Sequence, residues 1–175
     1  MIGPRPIVID ASVAASIVLR EPEGPAVAAA ISDWTRGGVR TVVPAHFWLE
    51  IANTLVSRWH LPGAEVLQAI HDIDQLRFET IDLDRAGLLL AIDISERHRL
   101  TAYDAAYLAL ATTLDGSLVT FDAALRSAAG SRALHIGRAR LSETPAVYEH
   151  DVTWPNYKGA SAFLAKLRAE SARSV

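Results

Sequence analysis

The chain has 175 residues, 20 of them acidic and 17 basic, and a net charge of −3: one domain's worth of sequence, without the basic excess of a general polyanion binder. It has no cysteine, which excludes disulfides, thiolate metal sites and a cysteine nucleophile. Its six histidines never fall four residues apart, so a helical zinc pair is excluded as well.

Arg5 and the apolar stretch to Leu19 imitate a secretory leader, but Asp10 interrupts that stretch. No segment reaches about 18 uncharged apolar residues, so no membrane span and a cytoplasmic location are expected. Ile7 to Ile9 is a β-branched apolar run, the pattern of a strand buried on both faces. Val13 to Leu19 reads as a short helix ending before Pro22, and Pro25 to Thr35 as a second helix ended by Gly37-Gly38. Val39 to Val43 is the next strand, with Pro44 at the first position of a helix that runs to about Trp59. Residues 64 to 76 are helical, with Val66, Leu67, Ile70 and Ile73 on one stripe, and Phe78 to Leu83 is a strand. Asp84 caps a helix to about His98, and a further helix covers Ala102 to Leu114 before Asp115-Gly116. Ser117 to Phe121 is a strand, residues 123 to 129 are helical, and Leu134 to Ile136 is a candidate last strand. Alternating strands and helices predict an α/β fold with a mainly parallel sheet covered on both faces.

Four acids stand out because each is set in apolar sequence. Asp10 closes Ile7-Val8-Ile9, and Asp122 closes Leu118-Val119-Thr120-Phe121. Glu50 lies within Phe47-Trp48-Leu49-Glu50-Ile51-Ala52, and Asp104 within Ala102-Tyr103-Asp104-Ala105-Ala106-Tyr107. Carboxylates are seldom buried unless they are paired or bind a metal, and hard divalent cations are their natural partners. Each acid also has a plain structural reading. Asp10 and Asp122 can cap the helices that follow them, and Asp104 can close a capping box with Thr101. Glu50, Asn53 and Ser57 can form a solvated helix edge.

In order and spacing these segments resemble the PIN-domain ribonucleases, specifically the VapC toxins of bacterial toxin–antitoxin pairs. Ile7-Val8-Ile9-Asp10-Ala11-Ser12, Glu50-Ile51-Ala52-Asn53, Tyr103-Asp104-Ala105-Ala106-Tyr107-Leu108-Ala109-Leu110-Ala111 and Leu118-Val119-Thr120-Phe121-Asp122-Ala123-Ala124-Leu125 carry the likeness. The resemblance implies a three-layer α/β/α PIN-like domain over residues 1–141 and a metal-dependent endoribonuclease. It makes Asp10, Glu50, Asp104 and Asp122 the catalytic, metal-binding acids for Mg2+ or Mn2+, with Ser12, Asn53 and Thr120 in support. It further implies an RNA substrate, a VapB-type antitoxin and a homodimer. The helices around residues 13 to 35 and 48 to 67 carry apolar surface that a partner could cover.

Arg126, Arg132, Arg138 and Arg140, with His135 and no acid between residues 126 and 142, form a basic strip that could contact RNA phosphates. Residues 142–175 extend past the family's usual end. Tyr148, Trp154, Tyr157 and Phe163 lie there, and residues 159–171 have a helical pattern, so a packed, partly helical extension is expected. The rival readings are a catalytically silent PIN fold that binds protein or RNA, a DNA nuclease, and a small-molecule phosphohydrolase. The last expects a second aspartate two positions after the first, where Ser12 stands instead.

Overall fold

The computed structural model describes residues 4–136. The extension at 142–175, with Arg138 and Arg140, lies outside them. Four short strands form one parallel sheet: β1 (Ile7–Ile9), β2 (Thr41–Pro44), β3 (Glu79–Ile81) and β4 (Ser117–Val119), in the order β3-β2-β1-β4. β1 is central, pairing Ile7 with Thr41 and Ser117, and Val8 with Val42 and Leu118. Every residue of β1 and β2 is buried, as their unbroken apolar runs require, whereas β3 at the edge is largely exposed.

Helices supply the crossovers that parallel strands need. They are α1 (Ala11–Val18), α2 (Gly24–Arg36), α3 (Phe47–Asn53), α4 (Gly63–Asp74), α5 (Arg85–His98), α6 (Ala102–Thr113) and α7 (Ala123–Ala129). Helices α1 to α4 pack among themselves, while α6 lies over β1, β2 and β4 and packs with α5 and α7. The α/β/α layering is the one expected, and Tyr107 and Phe47 are the largest side chains fully buried in its core. Among the described residues no helix is long and apolar enough to cross a membrane.

Three local expectations change. Pro44 ends β2, opposite Ile81, rather than starting a helix. The pairing of β1 with β2 extends only to Val42, so the N–H that proline lacks falls beyond that ladder. The helix after it begins at Phe47 and continues from Thr54 to Arg58 as a π-turn, with Trp59 N–H donating to the Thr54 carbonyl at 3.2 Å. Leu134 to Ile136 forms no strand: Ala133 makes one isolated bridge to Leu118, and Leu134 N–H donates to the Leu118 carbonyl.

The strand order matters for function. The chain moves outward from β1 to β2 to β3, then returns across β1 to place β4 on its other side. The direction of winding therefore switches between β1 and β4, and open parallel sheets bind ligands at the carboxyl ends of strands flanking such a switch. Asp10 and Thr120 are the residues that leave those two strand ends.

At the opposite end of the same strand pair, Gly116 is forced by close approach. A Cβ there would lie 2.5 Å from the Pro6 carbonyl oxygen, which also accepts the Ser117 N–H at 3.0 Å. Gly116→Ala is expected to separate β4 from β1 and cost about 1–3 kcal/mol, read as a lower urea midpoint in equilibrium unfolding.

Candidate active site at the carboxyl edge of the sheet

Asp10 is the first residue past β1 and only 3% exposed. Its N–H still donates to the Val119 carbonyl, so the backbone is held in the sheet while the side chain has left it. It occupies the N-cap position of α1, yet its carboxylate makes no capping hydrogen bond there. Instead Oδ2 accepts the Thr120 hydroxyl at 2.7 Å and the Ser12 hydroxyl. The plain capping reading thus fails for this side chain.

The same hydroxyls explain why β4 stops at Val119 and not at Phe121. Phe121 N–H donates to Ser12 Oγ at 3.1 Å, and Asp122 N–H to Thr120 Oγ1 at 2.9 Å. The Phe121 amide, which faces β1 and would have extended the ladder, is satisfied by the Ser12 side chain instead, and the hydroxyls of Ser12 and Thr120 tie β1 and β4 to one another through Asp10. Ser12 and Thr120 thus both donate to the Asp10 carboxylate.

Glu50 is half-buried on α3, and its Oε2 accepts the Tyr107 hydroxyl of α6 at 2.7 Å. Asp104, in the first turn of α6, receives the Thr101 hydroxyl at 2.6 Å, while its own N–H donates back to Thr101 Oγ1. The expected capping box forms, but through the Thr101 hydroxyl rather than its amide. Asp122 caps α7: its Oδ1 accepts the Leu125 N–H at 2.6 Å, and the residue is exposed.

Electrostatics separates these four acids into three and one. Burial is the main force raising the Asp10 carboxyl above its ordinary range; the two hydroxyls lower it, and the Asp104 charge raises it. Glu50 is pushed up to about 6, first by burial and then by the charges of Asp10 and Asp104, with the Tyr107 hydrogen bond opposing. No cation is among the groups that act on either acid, and Asp122 is not among them either. Asp10, Glu50 and Asp104 thus share one field, and Asp122 stands at its margin.

The remaining predicted site residues are less engaged. Asn53 accepts the Ser57 hydroxyl at 3.0 Å on the exposed side of α3. Arg132 holds the Asp115 carboxylate and donates to the Gly116 carbonyl at 3.0 Å. Both of those lie before β4, at the far end of the sheet from the acids, so Arg132 leaves the set of phosphate contacts. Arg126, one turn along α7 from Asp122, remains on the acid side.

Two residues absent from the sequence reading belong here. The Tyr107 hydroxyl is buried on Glu50, and that negative partner together with burial drives its pKa far upward, so it stays a donor. His46 packs edge-on against Tyr107, with ring centroids 5.0 Å apart, and also lies 5.8 Å from Tyr103. Burial lowers the His46 pKa, against weaker upward effects from a Tyr103 backbone group and from Asp104. Its Nε2 is buried with no hydrogen-bond partner among the described residues. Spacing carried a signal for both: Tyr107 follows Asp104 by three residues and His46 precedes Glu50 by four, so each shares a helical face with its acid.

Among the described residues no group of three or more His, Cys, Asp or Glu is close enough to hold an ion unaided. Asp10, Glu50 and Asp104 offer hard oxygen donors, the ligand type that hard divalent cations take. Asp10 and Glu50 are desolvated, and no cation among the described residues acts on either. On chemistry the residues fit a divalent cation.

A family model described as the PIN domain matches residues 7–131. Among solved structures, the protein PAE2754 from Pyrobaculum aerophilum is 19% identical, with a TM-score of 0.56 over 74% of this chain and 83% of its own. A toxin–antitoxin complex from Klebsiella pneumoniae is 14% identical, with a TM-score of 0.56 over 75% of this chain and 98% of its own. At these identities the likeness is one of fold. No curated protein matches the chain.

The raised Glu50 carboxyl fixes a pH dependence. Its folded value lies above its ordinary one, so its contribution to stability is complete below about 4.5 and is lost as the pH rises through about 6. Glu50→Gln keeps an acceptor for Tyr107 and removes the charge. In chelator it should melt above the wild type at pH 7.5, the difference vanishing below about pH 4.5 in thermal unfolding across that range.

Proposed function

The chain belongs to the PIN-domain family, and from that premise we propose that it is a metal-dependent endoribonuclease, the VapC-type toxin of a toxin–antitoxin module. PIN domains are generally nucleases, which makes hydrolysis of a phosphodiester the first reading. The observation that carries it is the buried Asp10, locked at the switch between β1 and β4, sharing its field with Glu50 and Asp104, with no cation among the described residues acting on it. Asp10, Glu50 and Asp104 are the residues to hold Mg2+ or Mn2+, with Asp122 as an outlying member. Bound there, such an ion supplies charge neutralisation, a more acidic water and stabilisation of the leaving oxygen.

The protein's own groups divide the remaining work. Ser12 and Thr120 fix the Asp10 carboxylate in one orientation, which is the preorganisation a charge-stabilising site needs. Glu50, with its carboxyl near neutrality, is placed to take a proton from an attacking water. No serine or cysteine nucleophile is needed. Arg126, one turn along α7 from Asp122, is the basic residue we assign to meet a phosphate.

The toxin assignment draws on the likeness to the toxin–antitoxin complex from Klebsiella pneumoniae. Exposed apolar side chains are available for an antitoxin and a second copy: Leu49, Val56 and Trp59 along α3 and its π-turn, and Leu88, Leu89 and Ile92 on α5. Monomers seldom leave such rows uncovered without a partner. The first row falls within the 48–67 surface expected from sequence.

Purified wild type should cut single-stranded RNA in magnesium and stop on addition of a chelator. Asp10→Asn should retain the fold and lose at least about a hundredfold in rate, measured on labelled RNA with circular dichroism as the control. Asp10→Asn cleaving at the wild-type rate would contradict the mechanism, and a wild type that binds RNA without cutting it would leave the silent binding module.

A further inference from the structure

Tyr103 is 68% exposed, immediately before Asp104 on the first turn of α6. Lone exposed aromatics are common on protein surfaces. This one is the outer member of a short aromatic series that leads from solvent to the acids. Its ring is tilted 55° to His46 with centroids 5.8 Å apart, His46 is edge-on to Tyr107 at 5.0 Å, and the Tyr107 hydroxyl ends on Glu50. His46 thus backs the exposed Tyr103 ring from the protein side and joins it to the residue that holds Glu50.

We propose that Tyr103 and His46 form a stacking subsite for one base of single-stranded RNA, next to the phosphodiester held at Asp10, Glu50 and Asp104. The inference rests on the nuclease reading and narrows its substrate to unpaired RNA. Two features fit that substrate. The exposed tyrosine face accepts any base π-face, which a base inside a duplex cannot offer. The neighbouring Asp104 ties the subsite to the acid cluster, through its action on both Asp10 and Glu50. Tyr103 is here a binding residue that sets specificity; it takes no part in the proton transfers.

The test compares wild type, Tyr103→Ala and Tyr103→Trp. Affinity for a fluorescein-labelled single-stranded RNA and for its duplex is measured by anisotropy in calcium, and steady-state cleavage in magnesium. Tyr103→Ala should bind the single strand roughly tenfold more weakly and show the loss in KM with kcat nearly unchanged. Tyr103→Trp should restore both, and the duplex should bind weakly to all three. Equal single-strand affinity and KM in wild type and Tyr103→Ala would overturn the subsite, as would a loss confined to kcat or equal affinity for duplex. If the wild type binds the single strand through Tyr103 but does not cut it, the nuclease reading fails while the subsite stands.

Discussion

The hydrogen bonds from Ser12 and Thr120 to Asp10 are the constraint on which the rest of this structure turns. They join the ends of two neighbouring strands that two further strands separate in sequence. They also mark the end of β4, because the Phe121 amide that faces β1 goes to the Ser12 hydroxyl oxygen. One carboxylate thereby fixes where the sheet stops and where the cleft begins. The hydroxyls favour the ionised acid, burial opposes it, and burial prevails.

A site built this way works against the stability of the empty protein. The charges of Asp10 and Asp104 raise the Glu50 carboxyl, and several arginines of the described residues are engaged elsewhere: Arg132 and Arg5 with Asp115, Arg40 with Glu79, Arg97 with Asp93. An arginine beside Asp10 would relieve the strain and remove the reason for a cation to bind. Like charges left unneutralised in a buried cleft are a recurring mark of functional sites. The Tyr107 hydroxyl moderates the conflict at Glu50 and ties α6 to α3 across the mouth of the cleft.

Most elements could be read from the sequence because their signals are local. Buried strands were visible as β-branched runs, and Asp84 and Thr101 as caps, each accepting the N–H three residues on. The family likeness placed the acids on four separate segments. Strand order was out of reach, since it depends on pairings between residues more than a hundred apart, such as Ile7 with Ser117. Thr120 looked like a strand residue because its hydroxyl's partner lies 110 positions away. Tyr107 is a fully buried core residue, and only the position of Glu50 gives its hydroxyl a second role. Arg132 matched a basic strip in sequence, yet the turn after α7 carries it to the other end of the strands.

If Asp10, Glu50 and Asp104 share a divalent cation, as proposed, anomalous diffraction from crystals soaked in manganese at neutral pH should reveal it. The strongest peak is expected beside the Asp10 carboxylate, within reach of Glu50 and Asp104. Manganese bound elsewhere, or absent while Asp10 keeps only its two hydroxyl partners, would contradict it.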